Sequence, residues 1–150
     1  MSTRKVVTGH NAEGMSTVAV DDIVSDVMTL PNISGWELAT VASTGADFVL
    51  APSAEGEPVD VGLVPGATQF VVWRLPPLEN GANPAGMHAT NTVDYIIVIQ
   101  GSVSMKMGDG TEVELHRGDC VVQNGTHHEW VNRSGAECVM ATIMVGVRRS

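Results

Sequence analysis

Short runs of β-forming residues, each ended by a turn signal, recur along most of this chain. Runs rich in Val, Ile and Thr are four to ten residues long, which is the usual length of a strand. They include FVVWRL, YIIVIQ, VSMKM, TEVEL and CVMATIMVGV. From residue 95 onward, glycine-containing turns such as GDG at 108–110 and NGT at 124–126 separate them about every ten residues. This pattern predicts an all-β sandwich or closed barrel.

Two segments depart from the strand pattern. In VDDIVSDVMTL, residues 20–30, Ile23 and Val27 have helical spacing, and Pro31 would end the helix. Residues 43–68 are rich in Pro, Gly and acidic side chains and predict an irregular loop over one end of the barrel. We therefore expect at most one short helix.

Composition limits the partners of the chain. Its 150 residues suit one domain, and 43% hydrophobic residues with 17% charged residues are typical of a globular protein. The net charge is −9 and no Lys or Arg lies between Lys5 and Arg74, so a nucleic-acid partner is not expected. No apolar run reaches 18 residues, which argues against a membrane helix. Cys120 and Cys138 match no zinc or redox spacing and indicate small buried residues of a cytoplasmic protein with reduced thiols.

The stretch MHATNTVDYIIVIQG, residues 87–101, places polar side chains in a strand that is otherwise apolar. Alternate residues of a strand point to the same face, so His88, Thr90 and Asp94 share one side. A buried carboxylate without a partner is costly. Asp94 therefore needs a cation, a protonated imidazole or hydrogen-bond donors near it.

A second histidine-bearing stretch is GDCVVQNGTHHEWVN, in which His128 and Trp130 share one face. His127 points the other way and is expected at the surface or rim. If the two strands lie together inside a barrel, His88, Asp94 and His128 converge. Two imidazoles and one carboxylate with open positions form the facial triad that suits non-haem Fe(II).

These two stretches resemble the two motifs of the cupins. In the first motif, His88, Thr90, Asp94 and Gly101 stand at the positions of the first His, the second His, the Glu and the final Gly. The frame of the second motif is matched by Gly118, Asn124, Gly125, His128 and Asn132. The resemblance implies a jelly-roll barrel, or double-stranded β-helix, that is often a homodimer. It implies a single domain over residues 1–150, with an N-terminal extension over 1–68 and a barrel core over about 69–147.

The chain departs from the cupin pattern at two ligand positions. Thr90 replaces the second His, and Asp94 is one methylene shorter than Glu. The initial Gly of the first motif is replaced by Ala82. The four-ligand site of the family is thus reduced to His88, Asp94 and His128. These would hold a divalent metal, with Fe(II) favoured over Mn, Ni or Zn, and the alternative is that no metal is bound.

Candidate substrate contacts lie beside these three residues. Thr90 could bond a ligand or a metal-bound water, and Trp130 lies on the inner face with His128. Strand alternation allows either Trp73 or Arg74 to enter the pocket, but not both. Arg74 could grip a carboxylate or form a surface ion pair. Met105 would line an apolar pocket or the core together with other methionines at positions 87, 107, 140 and 144.

Three functional hypotheses follow from the residues and the resemblance. The first is a metal-dependent enzyme that acts on a small organic acid, ketone or phenol, by oxygenase, decarboxylase, isomerase or lyase chemistry. The second is a metal-free enzyme in which His88 or His128, poised by Asp94, acts as a general base. The third is a metal-free barrel that binds or senses a small ligand.

Overall fold

The computed structural model describes residues 2–31, 33–78 and 85–150. These residues form strands and no helix, which confirms the prediction of an all-β fold. The strands are β1 (Arg4–His10), β2 (Ser16–Ile23), β3 (Val27–Thr29), β4 (Glu37–Ala39), β5 (Thr68–Leu75), β6 (Thr92–Gln100), β7 (Ser102–Met107), β8 (Glu112–His116), β9 (Cys120–Asn124), β10 (His128–Val131) and β11 (Cys138–Gly146).

Two sheets enclose the main core, as in a jelly-roll barrel. The larger sheet has the strand order β2-β1-β9-β6-β11-β5, and the smaller has the order β10-β7-β8. The larger sheet contributes inward-facing residues such as Val6, Ile96 and Met140, and the smaller contributes Met105 and Leu115. Strand alternation therefore buries one side of each sheet in a common interior.

The outer side of the larger sheet is covered only in part. Leu50 packs with Val93 and Val122 in a second apolar cluster, and Val41 packs against it. Apart from Thr68, where β5 begins, the predicted loop over 43–68 contains no regular strand, in agreement with the sequence, and it forms isolated bridges at Leu50 and Val59. Strands β3 and β4 form a separate two-stranded hairpin.

The predicted helix over residues 20–30 was wrong. Strand β2 runs to Ile23 in register with β1, and β3 begins at Val27. The Arg4 guanidinium bonds Asp21 through Nε at 2.7 Å and so ties β2 to its neighbour. Tertiary pairing and β-branched residues outweigh the helical spacing of Ile23 and Val27.

A glycine is required at the turn between β6 and β7. Gly101 has φ +75°, a region that favours glycine. A Cβ placed there would lie 2.6 Å from the backbone oxygen of Glu137. The final Gly of the first motif is therefore fixed both by conformation and by space.

Candidate functional site

A cavity of about 620 Å³ opens in the barrel between the two sheets. Most of its wall is apolar, while His88, Asp94 and His128 lie on the segment before β6, on β6 and on β10. The lining includes Val59, Val61, Val71, Trp73, Leu75, Leu78, His88, Thr90, Asp94, Ile96, His128, Trp130, Thr142 and Met144. The structure thus brings His88, Asp94 and His128 to one cavity.

Backbone pairing holds the two histidines side by side. The amide of His88 donates to the carbonyl of His128 at 3.0 Å, and the amide of His128 donates to the carbonyl of His88 at 2.9 Å. This antiparallel bridge leaves the two ring centroids 4.8 Å apart at an interplanar angle of 51°. The first motif and the second therefore meet through the main chain.

The same kind of hydrogen bond fixes the tautomer of both imidazoles. Nδ1 of His88 lies 3.0 Å from the carbonyl oxygen of Gly86, and Nδ1 of His128 lies 3.0 Å from that of Thr126. A carbonyl oxygen only accepts, so each Nδ1 carries the hydrogen. In the neutral ring, Nε2 then holds an unshared electron pair. No hydrogen bond in the described part of the chain engages either Nε2 atom.

Burial keeps His128 neutral. Loss of hydration lowers the pKa of His128 to about 4, although its bond to the Thr126 carbonyl opposes the shift. The imidazole is therefore uncharged near pH 7 and presents Nε2 as an acceptor.

Asp94 is the acidic group of the cavity. Burial raises the pKa of Asp94 to about 6, against the opposing effects of the Thr92 hydroxyl and the nearby His88. Its Oδ1 is buried and has no hydrogen-bond partner among the residues that the structure describes. The carboxylate is thus desolvated and has one oxygen available to a ligand.

Two threonine hydroxyls form a chain of hydrogen bonds that ends at the Asp94 carboxylate. Thr90 Oγ1 lies 2.6 Å from Thr92 Oγ1, and the Thr92 hydroxyl supports the ionised form of Asp94. A hydroxyl has one hydrogen, so when Thr92 donates to Asp94, Thr90 must donate to Thr92. Thr90 then presents only electron pairs to the cavity.

The fit of these residues to a metal ion is incomplete. Two imidazole nitrogens and a carboxylate oxygen are suitable donor types for Fe(II). However, no group of three or more His, Cys, Asp and Glu side chains within residues 2–31, 33–78 and 85–150 is arranged to hold an ion. Thr90 stands at the position of the second His, and its hydroxyl is already hydrogen-bonded to the hydroxyl of Thr92. The described residues therefore do not form a preassembled metal centre, and we derive no chemical step through one.

Both predicted tryptophans line the cavity. Trp130 meets Trp73 edge to face at a centroid distance of 5.6 Å, and it meets His128 in the same way at 5.5 Å. Trp73 Nε1 donates to Thr142 Oγ1 at 2.9 Å. No bond in the described part of the chain engages the hydrogen of the Thr142 hydroxyl, so Thr142 is the donor on the wall formed by β11. These rings form a flat wall for a ligand.

Of the other predicted substrate contacts, Arg74 lies at the mouth of the cavity and Met105 lies outside it. Arg74 is at the mouth of the cavity, with a side chain 69% exposed, and it pairs with Glu137 at 2.9 Å. This is the surface ion pair that the sequence left open as an alternative. Met105 is fully buried in the main core, where its sulfur accepts a hydrogen bond from Gln123, and it is not among the residues that line the cavity.

His127 is buried, so its expected position at the rim was wrong. Its Nδ1 lies 3.4 Å from Ser53 Oγ and 3.9 Å from Glu55 Oε2, and the Glu55 side chain is equally buried. The loop between β4 and β5 folds over this face of the barrel. Strand alternation gave the direction of His127 correctly but could not show that the loop covers it.

The sequence reading missed two residues of the site, Thr92 and Thr142. Thr92 lies between Thr90 and Asp94 on the same strand face, so alternation alone was sufficient to find it. Thr142 enters the site because β11 pairs with both β5 and β6. No local pattern in CVMATIMVGV indicates that role.

The part of the chain that forms the barrel strands matches a known protein family. The model of the cupin domain family matches residues 71–145, which is half of the chain. This chain belongs to the cupin family.

Several fungal proteins are similar over most of the chain. Phomopsin biosynthesis cluster protein C′ of Diaporthe leptostromiformis is 30% identical over 140 residues, covering 87% of this chain and 70% of that protein. The cupin-domain-containing oxidoreductase virC of Hypocrea virens is 29% identical over 139 residues, covering 89% and 69%. Of these two relatives, virC is named as an oxidoreductase with a cupin domain.

One solved structure is also similar to this chain. A Klebsiella pneumoniae protein with a double-stranded beta-helix domain is 20% identical with a TM-score of 0.43, and the match covers 72% of this chain and 92% of that one. None of the elements described here is a helix that could cross a membrane.

Proposed function

We propose that this cupin is an acid–base enzyme that acts on a small, neutral, hydroxyl-bearing carbonyl compound. The observation that carries the proposal is the set of electron-pair acceptors on the cavity wall. Asp94 Oδ1, the Nε2 atoms of His88 and His128, and Thr90 Oγ1 all accept, and none of them has a hydrogen to give when the histidines are neutral. A ligand that donates hydrogen bonds satisfies this wall.

Asp94 is the general base of the proposed reaction. A desolvated carboxylate with a pKa of about 6 is mostly ionised at pH 7 and still holds a proton more strongly than an exposed one. It would remove a proton from a carbon beside the carbonyl group and return it elsewhere on the same molecule. The substrate is then isomerised, and no electrons are gained or lost.

The remaining polar groups orient the substrate. The two Nε2 atoms accept from its hydroxyl groups, which fixes the acidic C–H bond relative to Asp94. The Thr142 hydroxyl donates to the carbonyl oxygen, where negative charge develops when the proton leaves. Trp73 and Trp130 offer flat apolar contact to the rest of the molecule.

The charge of the cavity favours a neutral substrate over an organic acid. Arg74 is the cation among the residues that line the cavity, and it is paired with Glu137 at the mouth. A substrate carboxylate deeper inside would face ionised Asp94 without a counter-ion, which costs free energy in an apolar site.

Hydrogen–deuterium exchange tests the proposal. A panel of neutral hydroxyaryl ketones in D₂O is followed by NMR for loss of the C–H signal beside the carbonyl group. The wild type should accelerate exchange, and Asp94→Asn should reduce it about 10²–10⁴-fold, as for loss of a general base. Matched carboxylates in place of the ketones should bind weakly. Exchange that survives in Asp94→Asn would overturn the role of Asp94, and binding without exchange would favour a ligand-binding barrel.

A metal-dependent enzyme is the second candidate, because the two Nε2 atoms and Asp94 Oδ1 are free to ligate. Elemental analysis of protein purified without a His-tag or chelator is the first measurement. Thermal unfolding with Fe(II), Mn(II), Ni(II) and Zn(II) is the second. A stabilisation that His88→Gln and Asp94→Asn both remove would favour the metal site, and no stabilisation would favour the metal-free enzyme.

A further inference from the structure

Arg149, in the segment that follows β11, joins three distant parts of the chain through one side chain. Its Nε donates to Asn91 Oδ1 at 2.9 Å, and its Nη1 donates to the carbonyl of Ala51 at 2.8 Å. Its Nη2 donates to the carbonyl of Thr90 at 3.2 Å and to that of Gly125 at 2.7 Å. All four acceptors are neutral, so in these bonds the guanidinium acts as a planar set of donors.

Two of these acceptors belong to the segments that carry the two histidines. Thr90 follows His88 by two residues, and Gly125 precedes His128 by three. The backbone bridge ties one histidine to the other. The guanidinium adds a second tie, between Thr90 and Gly125. The two segments are therefore held together at two points, one through the main chain and one through Arg149.

The carbonyls that Arg149 binds adjoin polar groups of the cavity. The hydroxyl of Thr90 lies 2.6 Å from that of Thr92, which in turn bonds Asp94. The carbonyl that accepts from Nδ1 of His128 belongs to Thr126, the residue directly after the bonded glycine. A shift of either segment would therefore move a hydroxyl or an imidazole relative to the carboxylate.

The turn before β10 leaves room for the guanidinium. Gly125 has φ +60°, a region that favours glycine. A Cβ placed there would lie 2.8 Å from Arg149 Nη2 and 2.6 Å from Leu50 Cδ1. The glycine of the second motif is therefore matched to Arg149, because a side chain at position 125 would displace the guanidinium or the leucine.

The main chain on either side of Arg149 is fixed as well. The amide of Leu50 donates to the carbonyl of Arg148 at 2.9 Å, and the amide of Ser150 donates to the carbonyl of Leu50 at 3.0 Å. Leu50 itself is 1% exposed and belongs to the second apolar cluster. The guanidinium is thus attached to a segment that is anchored on the outer side of the barrel.

We propose that Arg149 is a positioning residue, which holds the two histidine-bearing segments, and with them the two imidazoles, in place for the reaction at Asp94. The proposal rests on the proposed function only for its kinetic test. In that function the Nε2 atoms of His88 and His128 orient the acidic C–H bond relative to Asp94. A displacement of about 1 Å in such a geometry is sufficient to slow a reaction about 10²-fold.

Hydrogen–deuterium exchange of the same neutral hydroxyaryl ketones measures the kinetic effect. Arg149→Ala should lower kcat about 10²-fold and change KM less, because the apolar wall with Trp73 and Trp130 is retained. Added guanidinium ion should restore part of the lost rate, and ammonium ion at the same ionic strength should not, since only guanidinium has the planar set of donors. Arg149→Lys should stay slow for the same reason.

Two variants serve as controls for charge and stability. Arg148→Gln removes the same charge from an exposed neighbour, and Gly110→Ala lowers stability by straining a turn with φ +89° between β7 and β8. Both should keep a kcat close to that of the wild type. An equal loss in Gly110→Ala would overturn the proposal, and so would a wild-type kcat in Arg149→Lys. If Arg149→Ala does not fold, Arg149→Lys carries the test, because it retains the cation and its aliphatic stem.

The imidazole signals test the positioning role without any substrate. Nitrogen-15 NMR of the wild type should show His88 and His128 each in one tautomer, with the hydrogen on Nδ1. In Arg149→Lys these signals should shift toward a mixture of tautomers, while Arg148→Gln should keep the wild-type spectrum. A wild type without exchange activity that shows this change would refute the proposed function and support the positioning of the imidazoles. Unchanged imidazole signals in Arg149→Lys would overturn the positioning role, whatever the activity.

Discussion

At the scale of single residues, Asp94 is the group whose ionisation decides the state of the site. Its raised pKa of about 6 arises mainly from burial, and the Thr92 hydroxyl and His88 hold it below the value that burial alone would give. His128 responds to the same burial in the opposite direction, because its charged form is the protonated one. The apolar wall thus favours a neutral acid and a neutral imidazole.

The proposed base should appear in the pH dependence of exchange. Asp94 must be ionised to remove a proton, so kcat/KM should rise as pH increases through about 6 and then level off. The measurement is a pH–rate profile of the C–H exchange at low substrate concentration. A profile that falls through this range would assign the essential group to a protonated acid instead.

Thr92→Val should shift that pH–rate profile to higher pH. The Thr92 hydroxyl lowers the pKa of Asp94, and valine replaces it with a methyl group of similar shape. The apparent pKa in the profile should therefore exceed the wild-type value. Thr142→Val is the control. It removes the proposed hydrogen-bond donor to the carbonyl oxygen of the substrate, so it should lower the exchange rate and leave the apparent pKa unchanged. An unchanged profile in Thr92→Val would mean that Thr92 does not bond the ionised carboxylate.

At the scale of strands and turns, each side chain of the site is positioned by an ordinary β feature. Alternation along β6 sends Asp94 inward with Thr92, and the backbone bridge between His88 and His128 joins two distant motifs. The turn at Gly101 then reverses the chain so that β7 enters the smaller sheet. A fault in one turn would therefore affect both the barrel and the site.

Gly101→Ala should lower stability more than Gly110→Ala does. Both glycines have positive φ, but an added Cβ at Gly101 meets a backbone oxygen at 2.6 Å, while at Gly110 it meets nothing within 4 Å. We expect a loss of about 1–3 kcal/mol from backbone strain at either site, with a further loss at Gly101 from the contact. Urea unfolding of the two variants checks this. Equal losses would show that the turn relaxes away from Glu137.

Sequence alone was sufficient wherever the pattern had one local meaning. Apolar runs of strand length such as YIIVIQ and the turns between them predicted the barrel strands, and the spacing of the two motifs predicted the convergence of His88, Asp94 and His128 on one cavity. The same reasoning failed at Ile23 and Val27, where helical spacing occurs in β-branched residues that pair with Arg4 of β1 and Ala39 of β4. It also failed at His127 and Thr142, because their environments depend on a loop and a strand far away in sequence.

At the scale of the whole molecule, the burial that shifts the pKa values of Asp94 and His128 also sets how stability depends on pH. For Asp94, the pKa in the folded chain, about 6, lies above the unfolded value of 3.8. Its contribution to stability is complete below pH 3.8 and is lost as pH rises through about 6. For His128, the folded pKa of about 4 lies below the unfolded value of 6.5, so its contribution is complete above pH 6.5 and is lost as pH falls toward 4.

These two contributions oppose each other between pH 4 and 6.5, and substitution should separate them. Asp94→Asn removes the cost of ionising a buried carboxylate, which is about 3 kcal/mol at pH 8 at 1.36 kcal/mol per pKa unit, so this variant should melt above the wild type there. As the pH falls, the difference in melting temperature between Asp94→Asn and the wild type should shrink. His128→Gln should show the opposite slope, gaining relative to the wild type as pH falls from 6.5 to 4. Thermal unfolding across this range measures both slopes, and parallel curves for the two variants would show that neither group is desolvated in the folded protein.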